Sequence, residues 1–384
     1  MITRAISRAG RDVTIVGLGT RGLGGGLRGM EPEDVARVVP AAIEMGVTLV
    51  DVSPAWPDSL RVVGDAVRAL RARDRVCVAC AVPPLSARSS LAGAIAAATP
   101  SSALIIPVSK KKSAALMAAR AQPIGYVQKT VEDALRALKV DALSLAWLGG
   151  WRDAWLDEKV WPELHGTLMR LMREGKVLAW GVAAPDDAPG DALRAVAEPW
   201  VAAVSARFSL FDRTANVADG GAGDGGALVP AAAKAGVAVI AREPLARGAL
   251  GGELGPTVRF PPEDERRSWS EARLASIVPE LARLAAFASH TPPAASSSVE
   301  GRSVLEQMKR GDDLTATTVA DLALRYILDT AGITAATVGV RTIPHLAAAL
   351  GAADGAALPA RIRAELDDRR WGEHWYETRY EAGR

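Results

Sequence analysis

The chain has 384 residues, more than the ~100–200 of most single domains but within the range of α/β barrels that fold as one. Hydrophobic residues make up 49% and charged residues 23%, which excludes a disordered or fibrous protein. Lys and Arg total 46 against 44 Asp and Glu, and a net charge of +2 supplies no field that would gather nucleic acid or an anionic membrane.

The opening stretch MITRAISRAGRD carries charge but no apolar segment of a secretory signal, and no run reaches the about 18 apolar residues of a membrane span. A cytoplasmic location is expected. Residues 11–20, RDVTIVGLGT, read as one arm of a hairpin that plugs the lower mouth of a barrel. Gly17, Gly19 and Gly22 spell GxGxxG, on its face a dinucleotide fingerprint. The acidic residue that should end a strand about 20 positions later is absent, because Asp51 lies well beyond. The pattern therefore reads as a glycine-rich turn at a barrel mouth.

From there an apolar run followed by an amphipathic stretch repeats along the chain, the signature of a parallel sheet. The runs are Val47 to Ser53, Val76 to Val82, Ala142 to Leu148, Ala179 to Ala184, Ala202 to Phe208, Val237 to Glu243 and Ala335 to Val340. A weaker eighth lies near Gly355 to Leu358. Between them the helix signal is clearest in TVEDALRAL, whose apolar positions 131, 134, 135 and 138 form one stripe. Eight such units close a (β/α)₈ TIM barrel, with function at the ends of the strands. Residues 100–129, with the run Lys110-Lys111-Lys112, and 289–315, rich in Ser, Pro and charge, break the rhythm and read as surface insertions in one domain spanning 1–384. Cys77 and Cys80 stand three apart in a period-2 run, hence on opposite faces of a strand, and neither a shared metal nor a disulfide is expected.

The motifs GLGTRGLGG, GVTLVDVSPAWPDS, KVDALSLAWL, REGKVLAWGVA, VAAVSARFSLFDR, VIAREPLARGALGG, FPPEDERRSW, VGVRTIPHL and the tail RRWGEHWYE follow one another over residues 12–378 in an order that resembles the aldo-keto reductases, closest in style to bacterial members. In that family a Tyr protonates a carbonyl while a nicotinamide delivers hydride, a Lys paired with an Asp lowers the Tyr pKa, and a His orients the carbonyl. Carried over, the Asp position is Asp51, whereas Trp56, Ala81 and Gly149 occupy the positions of Tyr, Lys and His. An indole is no acid in this range, and Ala and Gly bring no polar side chain. Shifting the alignment by a residue does not help, because the first Tyr is Tyr126 and the first Lys is Lys110.

The resemblance implies NADP(H), with Thr20, Pro244, Leu245 and Gly248 around the diphosphate segment and Arg341 on the adenosine 2′-phosphate, where a guanidinium fork is well shaped. Against it, Ala183, Ala184, Ser205, Ala348 and Ala349 replace polar family residues at the nucleotide. Trp56, Trp147, Trp151, Arg207, Arg242 and Glu243 also fall at or beside strand ends. They form either a pocket for an anionic or planar small molecule or an Arg–Glu ion pair with packing tryptophans. Three functions follow: a pseudoenzyme that senses the nucleotide and acts on a protein partner; a repurposed biosynthetic enzyme using the barrel-mouth Arg, Glu or Asp; or a residual NADPH-dependent carbonyl reductase drawing its proton from water.

Overall fold

A computed structural model of the chain describes residues 1–24, 32–84, 122–217, 227–252, 254, 258–260, 264–269, 271–289, 318–369, 371–372 and 375–376. The expected insertion at 289–315 lies, apart from Ser289, outside these residues. So does 100–121 of the other, whose described remainder opens a helix at Ile124.

Eight parallel strands close a barrel: β3 (Val16–Gly19), β4 (Leu49–Val52), β5 (Cys77–Val82), β6 (Leu145–Leu148), β7 (Trp180–Ala183), β8 (Val201–Arg207), β9 (Ala238–Arg242) and β10 (Ala335–Gly339), with β10 pairing back onto β3. Two short strands precede it, β1 (Thr3–Ile6) and β2 (Arg11–Thr14), which form an antiparallel hairpin. Ile6 and Val13 pack against the barrel's inward-facing side chains, so the hairpin plugs one end as the sequence suggests. Ten α-helices are described, including α1 (Pro32–Glu44), α2 (Pro57–Ala69), α3 (Ile124–Leu138), α4 (Trp161–Arg173) and the later α7 (Glu271–Ser289). In α3 the stripe Val131, Ala134, Leu135 and Leu138 is buried, as its 3.6-residue period requires.

Seven strands occupy the seven strong apolar runs, but the eighth is not at Gly355–Leu358, which is irregular and begins with a positive φ at Gly355. It is β3, the second half of the segment read as a hairpin arm. The chain leaves β2 at Ile15 and re-enters as a strand registered between Leu49–Val52 and Ala335–Gly339. Gly17 and Gly19 therefore lie in the strand itself and not in a turn, and only Gly22 falls in the 3₁₀ turn that follows. A Cβ at Gly17 would stand 2.9 Å from the Leu49 side chain, so glycine leaves the room that Leu49 fills inside the barrel.

Strand alternation sorts the core into two layers. Leu49, Cys77, Ala79, Leu145, Trp147, Ala179, Ala203, Ile240 and Ala335 face the lumen, while Val50, Cys80, Ala146, Val182 and Val204 face the helices. Cys77 and Cys80 are thus on opposite faces. The lumen is lined largely by alanines, and one indole, Trp147, supplies the bulk. No described helix is long and apolar enough to cross a membrane.

Candidate functional site

Asp51 projects from β4 near the carboxyl end of the barrel, where Thr20 donates to its backbone oxygen through both Oγ1 at 2.8 Å and N–H at 3.2 Å. Its side chain accepts a hydrogen bond from Trp147 Nε1 at Oδ1, 3.1 Å away. Burial pushes the carboxyl up to about 7, against the opposing pull of the Trp147 N–H and the Arg242 charge. Trp147 is itself buried, and a Cβ at Gly181 on the next strand would stand 2.5 Å from its ring. Ala81 is the register partner of Trp147 on the neighbouring strand. The small residues at 81 and 181 flank the place the indole fills, and the indole N–H satisfies an acid to which, among the described residues, no cation is bonded.

Gly149 follows β6 and donates to Val82 O at 2.9 Å, while its own carbonyl accepts from Gln122 Nε2 at 2.6 Å. A Cβ there would meet Val82 O at 2.7 Å, Pro84 Cδ at 3.1 Å and Pro83 Cα at 3.2 Å. Two of these are backbone atoms, so the position is closed to any side chain unless the strand ends part. Trp56 precedes α2, with the Arg21 guanidinium 5.3 Å from its ring centroid.

The strand-end charges pair differently from the expected Arg–Glu couple. Arg207 and Arg242 share Asp186: Arg207 Nη1 is 3.3 Å from Oδ2 and Arg242 Nη2 is 2.7 Å from Oδ1. Arg207 also donates to Asp212, and Arg242 donates to Ala184 O. Glu243 instead binds Arg21 at 3.3 Å and Arg247 at 3.1 Å. Both candidate anion-binding guanidinium groups are therefore neutralised within the protein. Trp151 does not join the mouth at all. It is fully buried in the outer layer among Trp155, Trp161 and Trp200, with centroids 5.3 to 5.8 Å away, and donates to Asp153 at 2.9 Å. Its place three residues beyond the end of β6 at Leu148 suggests the mouth, but the chain turns outward at Gly150, where φ is +67°.

After β9 the backbone takes left-handed conformations at Glu243 (+55°), Ala246 (+49°), Arg247 (+58°) and Gly248 (+91°), around Pro244 and Leu245. Two N–H groups of this run, those of Ala246 and Gly248, donate within the loop to Glu243 O and Leu245 O, both at 2.8 Å, so only the remaining N–H groups of the turn could face an anion. A Cβ at Gly248 would lie 3.2 Å from Arg266 Nη1. Arg266 holds Asp264 through a fork at 3.0 and 2.7 Å. Although burial raises the Asp264 carboxyl, these bonds and the charges of Arg266 and Arg341 hold it below its ordinary range.

Sequence reasoning missed Asp186, Arg21, Arg266 and the C-terminal pair Trp375 and Tyr376. Asp186 lies just past a strand end and was open to the same argument as Arg207. The C-terminal pair carries no local signal of where it folds back.

A closed parallel barrel with polar side chains gathered at the carboxyl ends of its strands is an (α/β)₈ barrel of the kind that places its chemistry at this face. The sequence matches the model of the Aldo/keto reductase family over residues 15–368, and the chain belongs to that family. Among solved structures it is similar to a glycerol dehydrogenase from Gluconobacter oxydans, at 23% identity, TM-score 0.62, and coverage of 95% of this chain and 94% of that one. It is also similar to an aldo-keto reductase from Klebsiella pneumoniae in complex with NADPH, at 20% identity, TM-score 0.58, and coverage of 97% and 96%. A third is the holo form of an aldo-keto reductase from Bacillus halodurans, at 16% identity, TM-score 0.59, and coverage of 99% of both. No curated protein matches the sequence.

Proposed function

We propose that this chain is a nucleotide-binding member of the aldo-keto reductase family that does not reduce carbonyls by the family's Tyr–Lys–His device. The observation that carries this reading is the Trp147 to Asp51 hydrogen bond of 3.1 Å: an indole stands beside Ala81 and bonds the acid that the family pairs with a Lys. With Trp56, Ala81 and Gly149 at the Tyr, Lys and His positions, no side chain there transfers a proton to a carbonyl.

The residues present suit the phosphate half of NADP(H) better than its nicotinamide half. The left-handed run through Gly248, with Arg266 beside it, fits a diphosphate, and Arg341 fits a 2′-phosphate. A bound nicotinamide would supply hydride transfer in a reductase, but Ala183, Ala184 and Ser205 offer its carboxamide little. The Klebsiella relative's complex with NADPH lends weight to the same ligand here. Repurposed chemistry through Arg207 and Arg242 is the weaker reading, since Asp186 and Asp212 together already pair with both guanidinium groups.

Titration with NADPH, followed by quenching of the ten tryptophans with NADH as control, tests the proposal. Micromolar binding, weakened about 10-fold or more by Arg341→Glu, is expected, with no NADPH consumption against a panel of aldehydes and ketones. Absence of binding at millimolar nucleotide would overturn the nucleotide reading. Turnover would overturn the non-reductase reading and favour a carbonyl reductase that takes its proton from water.

A further inference from the structure

The amino-terminal end of the barrel, opposite the strand ends described above, carries a cavity of about 390 Å³. It lies where β1 of the plugging hairpin meets the loops that lead into β9 and β10, and its volume is in the range of small-molecule sites. Ala233, Val237, Leu328 and Ile333 give it apolar walls.

Its charged lining is Arg4 and Asp329, and the two are not bonded to each other. Arg4 donates from Nη1 to Ile333 O at 2.6 Å and from Nη2 to Leu328 O at 2.9 Å. Its other N–H groups have no partner among the described residues. Asp329 follows α8 (Val319–Leu328), and among the described residues its carboxylate accepts no hydrogen bond. The cation beside it, Arg363 at 3.9 Å, is bonded instead to Asp367 at 2.8 Å. The Asp329 charge opposes the effect of burial on Arg4, so the two groups are neighbours without touching.

The third feature is a free strand edge, since β1 pairs with β2 alone. Ile15 N–H donates to Ile2 O at 3.1 Å, which makes these two a hydrogen-bonded pair. Alternation then gives the same status to Arg4–Val13 and Ile6–Arg11, and turns the backbone N–H and C=O of Thr3 and Ala5 away from β2. Thr14, opposite Thr3, accordingly donates its N–H to Thr48 Oγ1 at 2.8 Å. Ala5 lines the cavity, and its backbone donor and acceptor are unpaired among the described residues.

A guanidinium, a carboxylate and an open strand edge answer to a terminal carboxylate, a terminal ammonium and the amide between them. A simple anion would suit Arg4 but be repelled by Asp329; a dipolar ligand satisfies both. We propose that this cavity binds a zwitterionic dipeptide with small apolar side chains, its carboxylate on Arg4, its ammonium on Asp329 and its amide along Ala5. The site stands at the far end of the barrel from the proposed nucleotide region and is tested with no nucleotide present.

The probe is alanylvaline, titrated into the full-length protein by calorimetry beside N-acetyl-alanylvaline, which lacks the ammonium, and alanylvaline amide, which lacks the carboxylate. The free dipeptide should bind with a dissociation constant on the order of 0.1–1 mM, and each blocked form about 5- to 20-fold more weakly. Arg4 is probed from the ligand's side because it also anchors the hairpin. Asp329→Asn should weaken the free dipeptide about 5- to 10-fold and leave the N-acetyl form unchanged, a coupling that a merely structural role would not produce. Three results would overturn the proposal: no binding of the free dipeptide at about 10 mM, equal affinity for the blocked forms, or equal weakening of the free and N-acetyl forms by Asp329→Asn. The comparison of blocked and free dipeptides uses the parent protein alone and decides the matter even if the variant does not fold.

Discussion

Replacing Asp51 with Asn should alter the way stability depends on pH much more than it alters stability in acid. Burial raises the carboxyl from 3.8 to about 7, and the Trp147 N–H and Arg242 charge only partly oppose it. An acid whose pKa is raised by folding holds its proton more firmly in the folded state. Its contribution to stability is complete below the unfolded value of 3.8 and is lost as the pH climbs through about 7. At ~1.36 kcal/mol per unit the full change is on the order of 4 kcal/mol, and the residual contact of Asp51 with solvent lowers this toward about 2 kcal/mol. Asn keeps an oxygen for the Trp147 N–H but does not ionise. Urea unfolding of both proteins between about pH 4 and pH 8 gives the difference curve. It should be near zero in acid and rise by about 2–4 kcal/mol in favour of the variant at the alkaline end. Subtraction removes carboxylates held low in both proteins, such as Asp65 bonded to Lys139. Parallel curves would refute the reasoning, for they would mean that folding leaves the Asp51 carboxyl ionised without penalty.

Trp147→Phe removes the N–H that Asp51 accepts at 3.1 Å and should cost about 1.5–3 kcal/mol near neutral pH, with a smaller effect in the Asp51→Asn background, as a double-mutant cycle would show. The same change should move the titration of Asp51 upward, since the lost bond lowers it; a carboxyl resonance followed by NMR that stays in place would count against the pairing. Gly149→His forces a Cβ to within 2.7 Å of Val82 O and should destabilise by at least about 1–3 kcal/mol in chemical denaturation. Adding Trp56→Tyr and Ala81→Lys should not produce carbonyl reduction, and turnover by that triple variant would show that the strand ends open readily.

The barrel is legible in the sequence because inward and outward residues alternate in seven runs long enough to be strands. The eighth strand is harder. Residues 11–20 read as one extended arm, yet the chain changes partners at Ile15, from β1 to β10 and β4, and nothing local marks that exchange. Glycines argue against a strand by propensity, and the reason for Gly17 is the Leu49 side chain on the adjacent strand. The site divides in the same way. That Trp56, Ala81 and Gly149 cannot perform acid–base work is a statement about residue types and needs no coordinates. That Trp147 fills the space beside Ala81 is a statement about register, recoverable only once β5 and β6 are paired. The ligand-like arrangement of Arg207 and Arg242 dissolves on meeting Asp186, because charge compensation is a three-dimensional property that strand-end position does not report.

The closure at Gly149 has a consequence for the order in which changes can accumulate. Each residue missing from the family's device could in principle return by one substitution, yet the backbone at 82–84 now occupies the volume that a side chain at 149 would need. A histidine arriving first meets a carbonyl oxygen and two prolines, and a lysine arriving first at 81 meets the indole of Trp147. The step back is therefore uphill from either side unless Trp147 shrinks and the Pro83–Pro84 turn moves outward beforehand. On the proposed reading the scaffold acts as a one-way latch, because the space that side chains at 81 and 149 would enter is filled by packing.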